Sequence, residues 1–119
     1  IISTLSKIKE SYNVSKTSQL IALQALDQID RLKTKVRETM ILKADLEKKL
    51  KNLDFDIIST TANFILARIN NAVKIYKKLA KKSIIVRDRS NLPYLNNVLR
   101  ITIGSPTENN FLIKYLKNI

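Results

Sequence analysis

The stretch IIVRDRSNLPYLNNVLRITIGSPTEN, from Ile84 to Asn109, decides how the chain is read. Two short β-branched runs, IIVRD and VLRITI, flank a polar loop and predict a pair of strands. Ser105-Pro106-Thr107-Glu108 then follows Gly104 as a capping box with proline at the first helical position, so a helix begins there. Strand periodicity puts Leu99, Ile101 and Ile103 on one face of VLRITI, and Val98, Arg100 and Thr102 on the other. Arg100 thus emerges in mid-strand, where a guanidinium is costly unless an anion meets it. Arg87 closes the other strand and faces opposite to Val86. If the two strands pair, both arginines point into one cleft. Their forked, permanently charged donors suit a carboxylate or a phosphate better than lysines would. The competing reading gives each arginine an internal carboxylate such as Asp88, or lets it reach into solvent. Arg89 reads as a loop residue.

Upstream of this stretch the texture is helical. Residues 1–14 lack periodicity and read as an extended lead-in, with Ser15 able to cap a helix after it. Leu20, Leu23, Leu26, Ile29 and Leu32 recur at helical spacing, and Val36, Met40, Leu42, Leu46, Leu50 and Leu53 continue the stripe. Ile41 lies outside that stripe and needs a second surface. The pattern predicts one very long helix, or two joined near Asp27–Arg31. FDIIST and NFILARI then read as strands, with Asp54 and Asp56 punctuating a turn. NAVKIYKKLAKK reads as a helix capped by Asn70 or Asn71. Phe111, Leu112, Tyr115 and Leu116 form the inward stripe of the last helix, and packing accounts for Tyr12, Tyr94 and Tyr115. The fold class is therefore α+β: a lead-in and long helix or helix pair over 1–53, then a small two-layer α/β domain over 54–119. That domain has about four strands, with helices on one face.

The totals bound the chemistry. The chain has 119 residues, 45% of them hydrophobic and 27% charged, which suits one folded domain and not a disordered segment. It has no cysteine and no histidine, so thiol nucleophiles, disulfides and the usual metal ligand and general base are excluded. The net charge of +12 is spread along the sequence, apart from the cluster Lys77, Lys78, Lys81 and Lys82. No nucleic-acid-binding signature accompanies it. No apolar run approaches a membrane span, and a cytoplasmic protein is expected. The sole methionine is Met40, so Ile1 is not expected to be the natural start.

Residues 84–110 resemble the C-terminal segment of the histidinol-phosphate aminotransferases, pyridoxal-phosphate enzymes of fold type I. The family's pattern there is Gly-I-I-V-R-[DN]-R, a proline-containing loop, then C-L-R-I-T-[VI]-G-T-x-E-E-N. TANFILARI resembles its S-D-A-N-F-[IL]-L strand, and KIKESYNVSKTSQLIALQAL its K-x-P-Y-N-[VI]-S…Q…A-[AL]-x-A-L. Residues 30–56 are similar in helical texture only. Ser83 replaces a usual glycine, Val98 a common cysteine and Ser105 a threonine, while Glu10-Ser11 stand for a frequent proline pair.

The resemblance implies the small C-terminal domain, about the last third, of a dimeric two-domain subunit. It implies that Arg87 and Arg100 hold the phosphate of L-histidinol phosphate, or the carboxylate of glutamate and 2-oxoglutarate. The Schiff-base lysine and the other contacts to pyridoxal phosphate (PLP) are expected upstream of Ile1, leaving no catalytic or cofactor-binding residue here and this piece inactive by itself. No metal, nucleic acid or membrane is implied. The rival readings are a related PLP transaminase with an aromatic amino donor, and a stand-alone basic helical protein that binds nucleic acid or an acidic partner.

Overall fold

The computed structural model describes residues 1–8 and 14–118. The chain divides into two compact units, Ile1–Lys35 and Val36–Ile119. In order, it forms α1 (Ile2–Ile8), α2 (Lys16–Leu26), α3 (Ile29–Lys51), β1 (Asp56–Ile58), β2 (Phe64–Arg68), α4 (Ala72–Ala80), β3 (Arg87–Asp88), β4 (Val98–Thr102) and α5 (Pro106–Leu116).

In the first unit, α1 corrects the reading of residues 1–14 as an extended lead-in, since Ile2–Ile8 is helical. A seven-residue helix with exposed Ile2 and Leu5 leaves too short a pattern for periodicity to register. The part of that reading on residues 9–13, including Tyr12, lies outside the described residues. Ser15 caps α2 as expected, its hydroxyl accepting from the Ser18 amide at 3.1 Å. The predicted helix pair is found, with its joint at Asp27–Gln28, where the Gln28 amide donates to the Ala25 carbonyl in a tightened last turn. Leu20, Leu23, Leu26, Ile29 and Leu32 are all exposed, so this stretch of the apolar stripe is uncovered.

The second unit is built on a four-stranded antiparallel sheet in the order β1-β2-β4-β3. Ile65, Ala67, Leu99 and Ile101 occupy one face of it and are buried. They share a single core cluster with Leu46 and Leu50 of α3, Leu79 of α4, and Leu112, Ile113 and Leu116 of α5. Helices therefore pack on this face, as the sequence predicts, while on the other face Val98 is also fully buried, apart from that cluster. Within the α3 stripe Leu46 and Leu50 are fully buried, whereas Val36 and Met40 stay exposed; Ile41, outside the stripe, is exposed as well.

Several expectations need correction. SIIVRD pairs over Arg87–Asp88 only. Ser83 takes a left-handed conformation, φ 58, and the Ile84 amide donates to the Leu79 carbonyl, closing a Schellman-type turn after α4. This turn carries Ser83–Val86 away from β4 and leaves a cleft of about 450 Å³ against Ile101–Gly104. Ile85 is consequently 81% exposed despite its β-branched neighbours. In α5, Phe111 is exposed and Ile113 takes the inward place assigned to it, while Tyr115 packs against the core as expected. Tyr94 does not pack: it is 94% exposed, on a loop where its φ is 64. Asn71 precedes α4 as predicted, but in a left-handed conformation without a side-chain cap. Asp54 stands in the turn, whereas Asp56 lies in β1 and pairs with Arg68 at 3.2 Å.

The exit from β4 matches the sequence closely. The Ser105 hydroxyl accepts from the Glu108 amide, and the Ser105 amide donates to Glu108 Oε2 at 2.7 Å. These Ser105 hydrogen bonds hold the Glu108 carboxyl below the usual carboxylate range. Buried Asn109 exchanges bonds with both main-chain groups of Gly104, at 3.0 and 3.1 Å. A Cβ on Gly104 would lie 3.0 Å from Glu108 Cβ, tighter than ordinary contact, so a side chain here would require Glu108 to shift.

Candidate functional site

The face of the sheet opposite the helices carries the candidate site. Strand register builds it as two rows. Arg68 pairs with both Asp56 and Val98, and Arg89 continues that row through its amide bond to the Val98 carbonyl. Leu66 pairs with both Ile58 and Arg100, and Arg100 pairs with Arg87. Directly opposed residues of an antiparallel pair point to the same face, with Cβ atoms about 4.5–5.5 Å apart. The two arginines singled out in the sequence therefore are cross-strand neighbours on one surface, as strand pairing requires.

The expected internal partner is not available to them. Asp88 opposes Leu99, facing away from Arg87, and its Oδ1 accepts from the Ser90 amide at 2.9 Å and the Ser90 hydroxyl at 2.6 Å. Among the described residues no carboxylate pairs with Arg87, Arg89 or Arg100. Arg100 is half-buried, with Cζ 5.4 Å from the Phe64 ring centroid, and its Nε is buried without a hydrogen-bond partner. Burial, and then the charges of Arg87 and Arg89, lower the Arg100 pKa from its ordinary value. Like charges held side by side, with one donor orphaned, make an arrangement that an anion would complete.

Arg68 has a different task. It donates to the Asn96 and Tyr94 carbonyls, at 3.3 and 3.2 Å, as well as to Asp56. It thereby ties down the loop that joins the strands of Arg87 and Arg100. Sequence reasoning passes over Arg68 and places Arg89 in the loop. The period-two spacing of Arg87 and Arg89 is the available signal for the latter.

Lys43 lies on a helix rich in lysine, yet it does not face solvent. It is 5% exposed, and its Nζ donates to the Thr60 carbonyl, the Thr60 hydroxyl and the Ala62 carbonyl. All three ammonium protons are engaged, so Lys43 cannot double as a free amine for carbonyl chemistry.

Over residues 1–116 the sequence matches the model of the aminotransferase class I and II family. The chain belongs to that family. Similar proteins include the histidinol-phosphate aminotransferase of Flavobacterium johnsoniae, 39% identical over 98% of this chain and 34% of that protein. That of Christiangramia forsetii is 40% identical over 100% of this chain and 35% of that protein. The crystal structure of a "putative aminotransferase" from Burkholderia pseudomallei matches with a TM-score of 0.78 and 25% identity, over 98% of this chain and 36% of that one. The aminotransferase chain thus spans about a third of the length of these relatives.

Class I and II aminotransferases generally use PLP. Lys43, with all three ammonium protons engaged, does not fit that group, and the single glycine, Gly104, forms no glycine-rich phosphate cradle.

Proposed function

We propose that the chain is the substrate-gripping part of a histidinol-phosphate aminotransferase. The whole enzyme passes an amino group between L-histidinol phosphate and 2-oxoglutarate, as a cytoplasmic homodimer, with PLP held outside the residues described here. PLP, when bound, supplies the electron sink for that exchange. Arg87 and Arg100 bind the phosphate of one substrate and the carboxylate of the other, and so fix the position of the reacting carbon. The observation that carries this reading is the cross-strand pairing of the two arginines on the open sheet face, without an internal carboxylate. The names of the similar proteins support the choice of substrate.

The test is Arg100→Lys in the full-length enzyme. A point charge then replaces a fork that is seated against Phe64. The value of kcat/KM for L-histidinol phosphate should fall by roughly 30-fold or more, the scale of losing one partner of a desolvated charge pair. Near-normal kinetics would refute the role of Arg100. Faster turnover of an aromatic amino acid than of L-histidinol phosphate by the unaltered enzyme would move the proposal to that amino donor.

A further inference from the structure

The open face holds one more unpaired arginine than a two-armed clamp requires. The Arg89 amide donates to the Val98 carbonyl at 2.9 Å, so the ladder continues one residue beyond Asp88. Two positions from Arg87, Arg89 faces the same side, and it is the diagonal neighbour of Arg100, about 7–8 Å away in such a ladder. It is half-buried, and no carboxylate among the described residues pairs with it. Its charge is felt at Arg100, where it adds to the effects of burial and Arg87.

The charged groups of this face are Asp56 on β1, Arg68 on β2, Arg87 and Arg89 at β3, and Arg100 on β4. Asp56 and Arg68 offset one another through their ion pair. Three guanidiniums remain. A carboxylate offers them one negative charge and two oxygens. A phosphate monoester offers nearly two charges near neutral pH and three acceptor oxygens. The third cation therefore gains more from a phosphate than from a carboxylate.

We infer that Arg89 is a third arm of the anion site and biases it toward a phosphate-type dianion over a carboxylate. This inference rests on the reading of Arg87 and Arg100 as the anion clamp, but its test is separate. Arg89 contacts the anion and leaves the reacting carbon to other groups, so its removal should act on KM and not on kcat.

In the full-length enzyme, Arg89→Gln should raise KM for L-histidinol phosphate about 10-fold and weaken competitive inhibition by inorganic phosphate to a similar degree. KM for glutamate should change by less than about 3-fold, as expected for a site that keeps its two-armed clamp. Arg89→Lys should restore most of the phosphate affinity, which a merely structural role of the guanidinium would not allow. Inhibition by inorganic phosphate of the unaltered enzyme should strengthen as pH rises from 5.5 to 8, because the anion gains its second charge near neutrality. That slope should flatten in Arg89→Gln. Equal losses for phosphate and glutamate, no loss for phosphate, or a pH-independent phosphate affinity in the unaltered enzyme would each overturn the inference. Failure of the underlying clamp would appear instead as unchanged kinetics in Arg100→Lys.

Discussion

Replacing Lys43 by methionine isolates the contribution of the one buried ammonium described in the chain. The substitution keeps the length and the apolar stem of the side chain but removes its three donated hydrogen bonds. The Thr60 hydroxyl keeps a bond of its own, donating to the Phe64 carbonyl at 2.8 Å. The Thr60 and Ala62 carbonyls lose the lysine as a donor. Each unsatisfied buried group costs about 1–3 kcal/mol, and both residues are only half-buried, which favours the lower part of that range. The loss should total about 2–4 kcal/mol. With a urea m-value of about 2 kcal/mol/M, the middle of the range for small proteins, the unfolding midpoint should fall by roughly 1–2 M at unchanged slope. Exposed Lys48→Met provides the control, expected within about 0.5 kcal/mol of the unaltered protein. If Lys43→Met unfolds at the same urea concentration as Lys48→Met, Lys43 does not anchor the β1–β2 loop to α3.

Two glycine exchanges should act in opposite directions. Gly104→Ala brings a methyl group to 3.0 Å from both Cβ and Oε2 of Glu108, which is also capping α5, and should lower stability by about 1–3 kcal/mol in thermal unfolding. A variant as stable as the original would mean that the turn relaxes freely. Ser83→Gly relieves a side chain at φ 58 in the turn after α4 and should raise stability by about 0.5–1 kcal/mol in the same assay. A loss of stability would show that the serine side chain itself holds the turn.

How far the sequence reveals the fold depends on how local the determining interactions are. The capping box of α5, the cap of α2 and the alternation in β4 from Leu99 to Thr102 involve residues a few positions apart, and each is found where the pattern places it, although Val98 is buried as well. Ile84–Val86 misleads because a β-branched run has the same signature whether it joins a ladder or leaves one. Its course is set by the left-handed Ser83, at a position where the resembling family has glycine. Phe111 and Ile113 differ in burial through the exact rotation of α5 on the core, which an eleven-residue pattern does not fix. Lys43 is opaque for a different reason. Its acceptors lie 17 and 19 residues away, and nothing in a helix sequence shows that one lysine among many will meet a loop.

The site is legible in part. Arg100 stands out because a charge in mid-strand conflicts with its neighbours, and Arg87 because it shares the same expected face. Their direct opposition depends on strand register, which the two runs and a nine-residue loop leave open until the ladder is seen. Arg89 is hidden by the assumption that the strand ends at Asp88, although its amide continues the pairing.

The central claim, that Arg87 and Arg100 together grip the anionic end of the substrate, is tested most directly by a crystal structure of the full-length enzyme with L-histidinol phosphate. The phosphate should lie on the open sheet face, with its oxygens accepting hydrogen bonds from both guanidiniums. A phosphate bound elsewhere, with Arg87 and Arg100 paired to protein carboxylates, would contradict the account.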